Sequence, residues 1–73
     1  IGHPIEDLDL TVRTYNCIRR AGIRTIEGLL ALDAYRLSRI RNMSSRCIQE
    51  VLEKLKAAGY DCASLEDNGG NEQ

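Results

Sequence analysis

The feature that most constrains the fold is the spacing of apolar residues over positions 45–58. They recur at intervals of three and four, which places them on one face of an α-helix. Gly59 follows directly and predicts the end of that helix, because glycine takes the left-handed conformation of a C-terminal cap without strain. Ser44 is positioned to cap the other end. The apolar residues of this face are Ile48, Val51, Leu52, Leu55 and Ala58.

Capping residues divide the preceding part of the sequence into three shorter helices. We expect the first over residues 12–21, with Thr11 as its N-cap and Gly22 as its stop. In the same way, the sequence predicts a second helix over residues 26–31 and a third over residues 34–38. The sequence therefore predicts an all-α domain, a compact bundle of four to five short helices.

The segments outside these helices carry separate expectations. The stretch "IEDLDLTV" alternates apolar and acidic residues, which predicts an extended lead-in that places Leu8 and Leu10 against the core. The stretch "DCASL" is expected to pack briefly on the body. Because the first residue is Ile, we expect a processed or excised piece of a longer protein. We divide the sequence into a linker or artificial addition over residues 1–4, the domain over 5–62 and a disordered tail over 63–73.

Composition narrows the class of protein. The protein has 73 residues, close to the lower limit for a single core, and no apolar run approaches the ~20 residues that span a bilayer. We expect a cytoplasmic protein with no membrane or small-molecule partner. His3 is the only histidine, and Cys17, Cys47 and Cys62 form no Cys-x-x-Cys pair. We therefore expect reduced thiols, no metal, no cofactor and no catalytic residues.

Charge is distributed unevenly along a sequence whose net charge is only −1. Residues 1–9 carry −3, residues 10–47 carry +6 and residues 48–73 carry −4. All eight basic residues of the middle segment are arginines, whose forked guanidinium suits phosphates and base edges better than a lysine ammonium does. The middle segment holds too few carboxylates to pair them.

The first helix separates this charge onto one face. At ~100° per residue, Arg13, Asn16 and Arg20 fall within a sector of about 60°, with Cys17 beside them. Guanidinium donors beside an amide are typical of a surface that contacts phosphates and base edges. An ordinary amphipathic surface helix explains the same pattern, so both interpretations stay open.

A second arrangement spans "LSRIRNMSSRCIQEV", residues 37–51. Its apolar residues frame a helix, a tight turn and a second helix, which is the order of a helix-hairpin-helix motif. In such a motif the turn and the first amides of the next helix hold a phosphate, here helped by Arg46. A plain connection between helices with a serine cap fits the stretch equally well.

Two stretches together resemble the C-terminal domain of the bacterial RNA polymerase α subunit. They are "IEDLDLTVRTYNCIRRAGIRTIEGL" and "RIRNMSSRCIQEVLEKLKAAGYDC", and the resemblance covers roughly residues 4–62. The more specific half is the pattern "DLxLTVRxxNCLKxxGI". It is matched by Asp7, Leu8, Leu10, Thr11, Val12, Arg13, Asn16, Cys17, Gly22 and Ile23.

The resemblance implies contacts to A/T-rich double-stranded DNA upstream of promoters. The arginine at the position of Arg13 enters the minor groove, and the asparagine at Asn16 contacts the backbone or base edges beside it. The residues at Cys17 and Arg19 lie along the phosphates. In the second stretch, the family's phosphate contacts come from the positions of Ser44, Arg46 and Cys47.

The resemblance also implies protein partners within the RNA polymerase holoenzyme. An acidic patch at the positions of Asp7 and Asp9 contacts the promoter-bound sigma factor, and transcription activators dock on other surfaces. Polymerase activity would belong to the whole enzyme and not to this domain.

Three departures from the family pattern set a second hypothesis beside the first. Ser44 stands where the family has glycine, which would add strain if that position needs a positive φ. Cys47 replaces a serine and Ser45 a common cation, so we expect a weaker phosphate grip, compensated in part by long-range attraction from Arg39 and Arg41. The alternative is a divergent stand-alone relative that binds proteins and has weak or no DNA binding.

Overall fold

Capping side chains mark the start of three of the four α-helices. In the computed structural model, which describes residues 2–66, the helices are α1 (Val12–Arg20), α2 (Ile26–Leu30), α3 (Ala34–Ser38) and α4 (Ser45–Ala57). The side chains of Thr25, Asp33 and Ser44 each accept a hydrogen bond from the backbone N–H three residues later. Residues 2–66 contain no strand, so the all-α prediction is confirmed. Each helix ends within one residue of its predicted end.

Two glycines end α1 and α4 as the sequence predicts. Gly22 and Gly59 have φ values of 89° and 90°. The amide after each glycine donates back into the helix, from Ile23 to the carbonyl of Ile18 at 3.3 Å and from Tyr60 to that of Leu55 at 2.9 Å. This is the Schellman arrangement, in which a left-handed residue turns the backbone over the last helical turn.

The prediction of an extended lead-in is wrong. Residues Ile5–Leu8 form a 3-10 helix that ends at Asp9, whose φ is 57°. Side chains three residues apart lie on the same side of a 3-10 helix, so Ile5 and Leu8 both face the core and are buried. Leu8 does pack on the core as expected, and Leu10 packs against it from the edge.

Residues beyond both expected boundaries of the domain pack against its body. Within the stretch expected to be a linker, the carbonyl of His3 accepts a hydrogen bond from the amide of Ile26 at 2.7 Å, and Pro4 pairs with Thr25. A second 3-10 helix, Ala63–Leu65, buries Leu65 beyond the boundary expected at residue 62. Residues 67–73 of the expected tail lie outside the described residues.

A single core unites these elements, and α1 packs across α4. The turn between α3 and α4 is closed by a hydrogen bond from the amide of Met43 to the carbonyl of Ile40, 3.0 Å. This order of helix, tight turn and helix is consistent with the predicted helix-hairpin-helix. None of the helices within residues 2–66 combines the length and apolar character needed to cross a bilayer. The buried cluster comprises Ile5, Leu8, Ile18, Ile26, Leu29, Leu37, Val51, Leu55, Cys62 and Leu65.

Candidate nucleic-acid interface

A carboxylate of α4 fixes the start of α1. Glu50 accepts hydrogen bonds from the amide of Thr11 at 2.6 Å, from its hydroxyl at 3.0 Å and from the hydroxyl of Thr14 at 2.7 Å. Thr11 is at the predicted N-cap position, but its side chain makes no capping bond to its own helix. Burial by itself raises the pKa of Glu50, but the bonds from Thr11 and Thr14 outweigh it and leave that pKa below its ordinary value.

This bonding holds Arg13 beside the start of α4. Arg13 is exposed, and its positive charge is close enough to help lower the pKa of the Cys47 thiol. The larger causes of that lowered pKa are hydrogen bonds with Ser44 and then with Thr14. The hydroxyl of Ser44 donates to the sulfur of Cys47 at 3.4 Å. Arg13 thus lies between the two residues of the α1 start that bond to Glu50 of α4.

The backbone strain considered for Ser44 does not arise. Its φ is −88°, an extended conformation that any residue adopts. The left-handed residue of the turn is Asn42, with a φ of 66°. Asparagine tolerates this region better than most residues do, so the turn is made two positions earlier and Ser44 is left to cap α4.

Both cysteines assigned to the interface are buried at the junction of α1 and α4. Cys17 is 7% and Cys47 5% exposed. The thiol of Cys17 donates to the carbonyl of Asn42 at 3.5 Å, which joins α1 to the turn before α4. Their packing role is thus observed, while contact between these thiols and phosphates remains a prediction.

Arg20 lies with residues of the turn rather than alone on its helix. It lines an open groove of about 350 Å³ between α1 and the turn, together with Cys17, Ala21, Ile40, Arg41 and Asn42. Asn16 and Arg46 are exposed on α1 and on the first turn of α4. Of the predicted site residues, the structure thus groups Arg13 with Ser44 and Cys47, and Arg20 with Cys17.

Arg19 is directed away from this group. Its guanidinium donates to the hydroxyl of Tyr15 at 2.6 Å and lies 3.5 Å from the carboxylate of Glu6. Tyr15 also donates to Glu6, and this bond lowers the pKa of that carboxyl below its ordinary value. Arg19 lies about 120° around the helix from Arg13, so its assignment to the same row of phosphate contacts has no support in this geometry.

The acidic residues assigned to partner binding lie on the exposed surface of the lead-in. Asp7 is exposed in the first 3-10 helix. The side chain of Asp9 is 97% exposed, and its carboxylate is 4.0 Å from the ammonium of Lys54. Beside them Val12 is 74% exposed, an apolar neighbour of the acidic surface.

Sequence reasoning missed two contributors to this interface. No local pattern links Glu50 with Thr11, because they are 39 residues apart and meet only when α4 crosses α1. Arg41 was considered only for long-range attraction, yet it lines the groove with Arg20. Asn42 in a tight turn carried a usable signal, since asparagine favours the left-handed region. Within residues 2–66 no cluster of His, Cys, Asp or Glu could hold a metal ion.

Comparison with protein families gives a match over most of the domain. The family is described as the C-terminal domain of the bacterial RNA polymerase alpha subunit, and its model matches residues 2–57. This range includes α1 to α4 and every residue of the candidate interface.

Among the curated proteins that are similar over most of this sequence are three named DNA-directed RNA polymerase subunit alpha. That of Fusobacterium nucleatum is 46% identical over 68 residues, 93% of this protein and 20% of the relative. Those of Desulforudis audaxviator and Beutenbergia cavernae are 45% and 49% identical over 80% and 89% of this protein, and 18% of each relative is covered. The 73 residues thus span about a fifth of the length of these relatives.

Proposed function

The protein belongs to the family of C-terminal domains of bacterial RNA polymerase alpha subunits, and from this membership we propose that it is the DNA-binding and regulator-docking module of an RNA polymerase. It would act in transcription initiation, in the cytoplasm, on A/T-rich DNA upstream of promoters, and it would carry no catalytic residues of its own. The observation that supports this most is the exposed Arg13, which stands between two threonines that bond to Glu50 of α4.

In this proposal Arg13 enters the minor groove. A/T-rich tracts narrow that groove and strengthen its negative potential, which favours an inserted guanidinium. Asn16 follows Arg13 by one helical turn and is also exposed, so its amide can reach base edges or sugars next to the arginine. The bonds from Thr11 and Thr14 to Glu50 hold the helix that carries both side chains.

Phosphates on either side of the groove would be held by α4 and by Arg20. α4 is 13 residues long, and the amides of its first turn present partial positive charge to an anion. The hydroxyl of Ser44 accepts the amide of Cys47 at 3.3 Å, which leaves the amides of Ser45 and Arg46 for a phosphate. One amide is thus already occupied, which agrees with the weaker grip expected from the sequence.

The acidic lead-in would supply the protein contacts. Asp7 and Asp9 are exposed and lie at the start of the fold, on a different element from the arginines. They would contact the promoter-bound sigma factor, while activators would dock elsewhere on the surface. Separate surfaces let the domain bind DNA and protein together, and a tether to the rest of the polymerase would raise its effective concentration at the promoter.

The test compares the full 73-residue protein with its Arg13→Ala variant on an A/T-rich and a G/C-rich duplex. We expect the A/T-rich duplex to bind more tightly and Arg13→Ala to weaken it by about tenfold or more, as loss of a forked contact does. With four or five phosphate contacts, a fourfold rise in salt should weaken binding by roughly a hundredfold or more. Fluorescence anisotropy at about 50 and 200 mM salt measures both effects.

Arg36→Ala is the matched control for this test. Arg36 is an exposed arginine of α3 outside the interface, so the same change of charge should have a small effect. No binding of either duplex at the lower salt concentration would contradict the DNA-binding role. That result would favour the alternative, a protein-interaction module that acts through Asp7 and Asp9.

A further inference from the structure

The proposed contacts assign a phosphate to Arg20 but leave its neighbour Arg41 without a role. The groove between the C-terminal half of α1 and the turn after α3 has Arg20 on one side and Arg41 on the other. Asn42 lies beside Arg41, and Ala21 and Ile40 add apolar surface. The two arginines come from different elements, so they become neighbours only in the folded protein.

These two arginines have no counter-charge in the described part of the protein. Within residues 2–66, no carboxylate forms an ion pair with Arg20 or Arg41, whereas Arg19, Lys54 and Lys56 each have one. The C-terminal end of α1 contributes about half a negative charge nearby. That is less than the two positive charges of the guanidinium groups, so the groove attracts an anion.

The walls of the groove are held in place by internal bonds. The thiol of Cys17 donates to the carbonyl of Asn42, which attaches the turn to α1. The amide of Met43 closes the turn on the carbonyl of Ile40. Because both walls are fixed, little order has to be imposed on the backbone when an anion binds.

The position of the groove on α1 indicates which part of a duplex it would meet. Arg20 follows Arg13 by two helical turns, about 10 Å along the axis, and lies within about 20° of it around the helix. The minor groove is ~6 Å wide. With α1 lying across the groove, an arginine this far from the inserted one is beyond the groove's edge, where the sugar-phosphate backbone runs.

We propose that Arg20 and Arg41 together hold one backbone phosphate of a DNA strand that borders the minor groove. The inference rests on the proposed DNA-binding function and adds a phosphate contact separate from the one at the start of α4. Two forked guanidinium groups can donate several hydrogen bonds to one phosphate, and the side-chain amide of Asn42 adds a further donor. The contact offsets part of the loss of phosphate binding that is expected from Ser44 and Cys47.

The experiment compares the unmodified protein with the Arg20→Gln/Arg41→Gln double variant on the same A/T-rich duplex. We expect about tenfold weaker binding and a log–log salt slope that is smaller by about 0.9, the contribution of one phosphate. The control is Arg24→Gln/Arg36→Gln, which removes the same charge from two exposed arginines, one before α2 and one on α3, that have no assigned role in the interface. Thermal unfolding of each variant verifies that it is folded.

A second readout identifies the phosphate itself. Uncharged methylphosphonates are placed one at a time along the backbone of the duplex. We expect one position at which a methylphosphonate weakens binding of the unmodified protein about tenfold. At that position the double variant should bind the modified and the unmodified duplex equally well. That coupling shows that the arginines and the phosphate act on each other.

The outcomes separate this inference from the proposed function. If Arg13→Ala weakens binding but the double variant equals its control, the groove does not hold a phosphate and the inference is overturned, while the DNA-binding role stands. If coupling is absent at every backbone position, the inference is overturned as well. If the unmodified protein binds no duplex at all, the proposed function fails and the inference fails with it.

Discussion

At the scale of single residues, Glu50 determines how α1 presents its arginine. One carboxylate oxygen accepts two hydroxyl groups, and the other accepts the amide of Thr11 at the N-terminus of α1. That end of the helix carries partial positive charge, which the carboxylate stabilises. These three bonds fix the residues on either side of Arg13.

Glu50→Gln should therefore destabilise the domain. A glutamine has one acceptor oxygen in place of two, so at least one of the three donors loses its partner, and we expect the free energy of unfolding to fall by about 1–2 kcal/mol. Urea unfolding at neutral pH measures this change. Because the pKa of Glu50 is lowered from 4.5, its stabilisation is present above that value and is lost as the pH falls below it.

Glu53→Gln is the control for this prediction. Glu53 is an exposed residue of the same helix, so the same change of charge without the threonine bonds should alter stability by less than ~0.5 kcal/mol. Equal effects of the two variants would contradict the role of Glu50. So would a difference between the unmodified protein and Glu50→Gln that persists in strong acid, where the carboxylate is protonated.

At the scale of elements, the segment before the first 3-10 helix is attached to α2 by an ion pair. The backbone amide of His3 donates to Glu27 at 2.8 Å, and its ring nitrogen Nδ1 lies 2.7 Å from the other carboxylate oxygen. The hydrogen bond to Glu27 raises the pKa of His3, and it lowers the pKa of Glu27 to about 2. Asp7 adds a smaller attraction, and the ring of Tyr60 meets that of His3 edge to face.

This pair predicts a pH window of added stability. The contribution of His3 is fully present below pH 6.5 and is lost as the pH rises through its raised pKa. The contribution of Glu27 is present above pH 4.5 and is lost as the pH falls toward about 2. We expect Glu27→Gln to lower the melting temperature more at about pH 5.5 than at about pH 8.5, measured by circular dichroism. A loss that is equal at both pH values would contradict the ion pair.

The helices were predictable, whereas the irregular segments were not. Caps and glycine stops act over one or two turns, so Thr25, Asp33, Ser44, Gly22 and Gly59 are readable from the sequence. The alternation of apolar and acidic residues suggested an extended segment, but the spacing of three that buries Ile5 and Leu8 together also fits a 3-10 helix. No nearby residue distinguishes the two forms, and packing on the core decides between them.

The site was predictable only in the part that one helix defines. A helical wheel places Arg13, Asn16 and Arg20 on one face. It does not show that Arg19 pairs with Glu6, or that Arg41 meets Arg20, since each of these contacts joins separate elements. The identity of the left-handed residue, Asn42 rather than Ser44, depends in the same way on how the turn closes.

At the scale of the whole molecule, the second 3-10 helix completes the core. Leu65 is 2% exposed, and the hydroxyl of Ser64 donates to the carbonyl of Leu30 at 3.2 Å. A domain of this size has only a modest stability in total. The last few residues of the body therefore contribute a large share of the total stability.

Leu65→Ala should lower the free energy of unfolding by about 2–4 kcal/mol, because the substitution leaves a cavity in the core. Denaturant unfolding measures this loss. Val12→Ala shortens a side chain that is 74% exposed, so we expect a change below ~0.5 kcal/mol. If Leu65→Ala lowered the free energy of unfolding no more than Val12→Ala does, the domain would instead end near residue 62.

The separation of the arginine face from the acidic lead-in also affects how the molecule approaches a polyanion. Its net charge of −1 gives a weak repulsion at long range, but the two surfaces make the molecule an electric dipole. Once the separation falls to about one Debye length, ~8 Å at physiological salt, DNA attracts the arginine-rich residues 10–47, which carry +6, and repels the acidic residues 1–9, which carry −3. The molecule would thus be oriented relative to DNA before any contact forms.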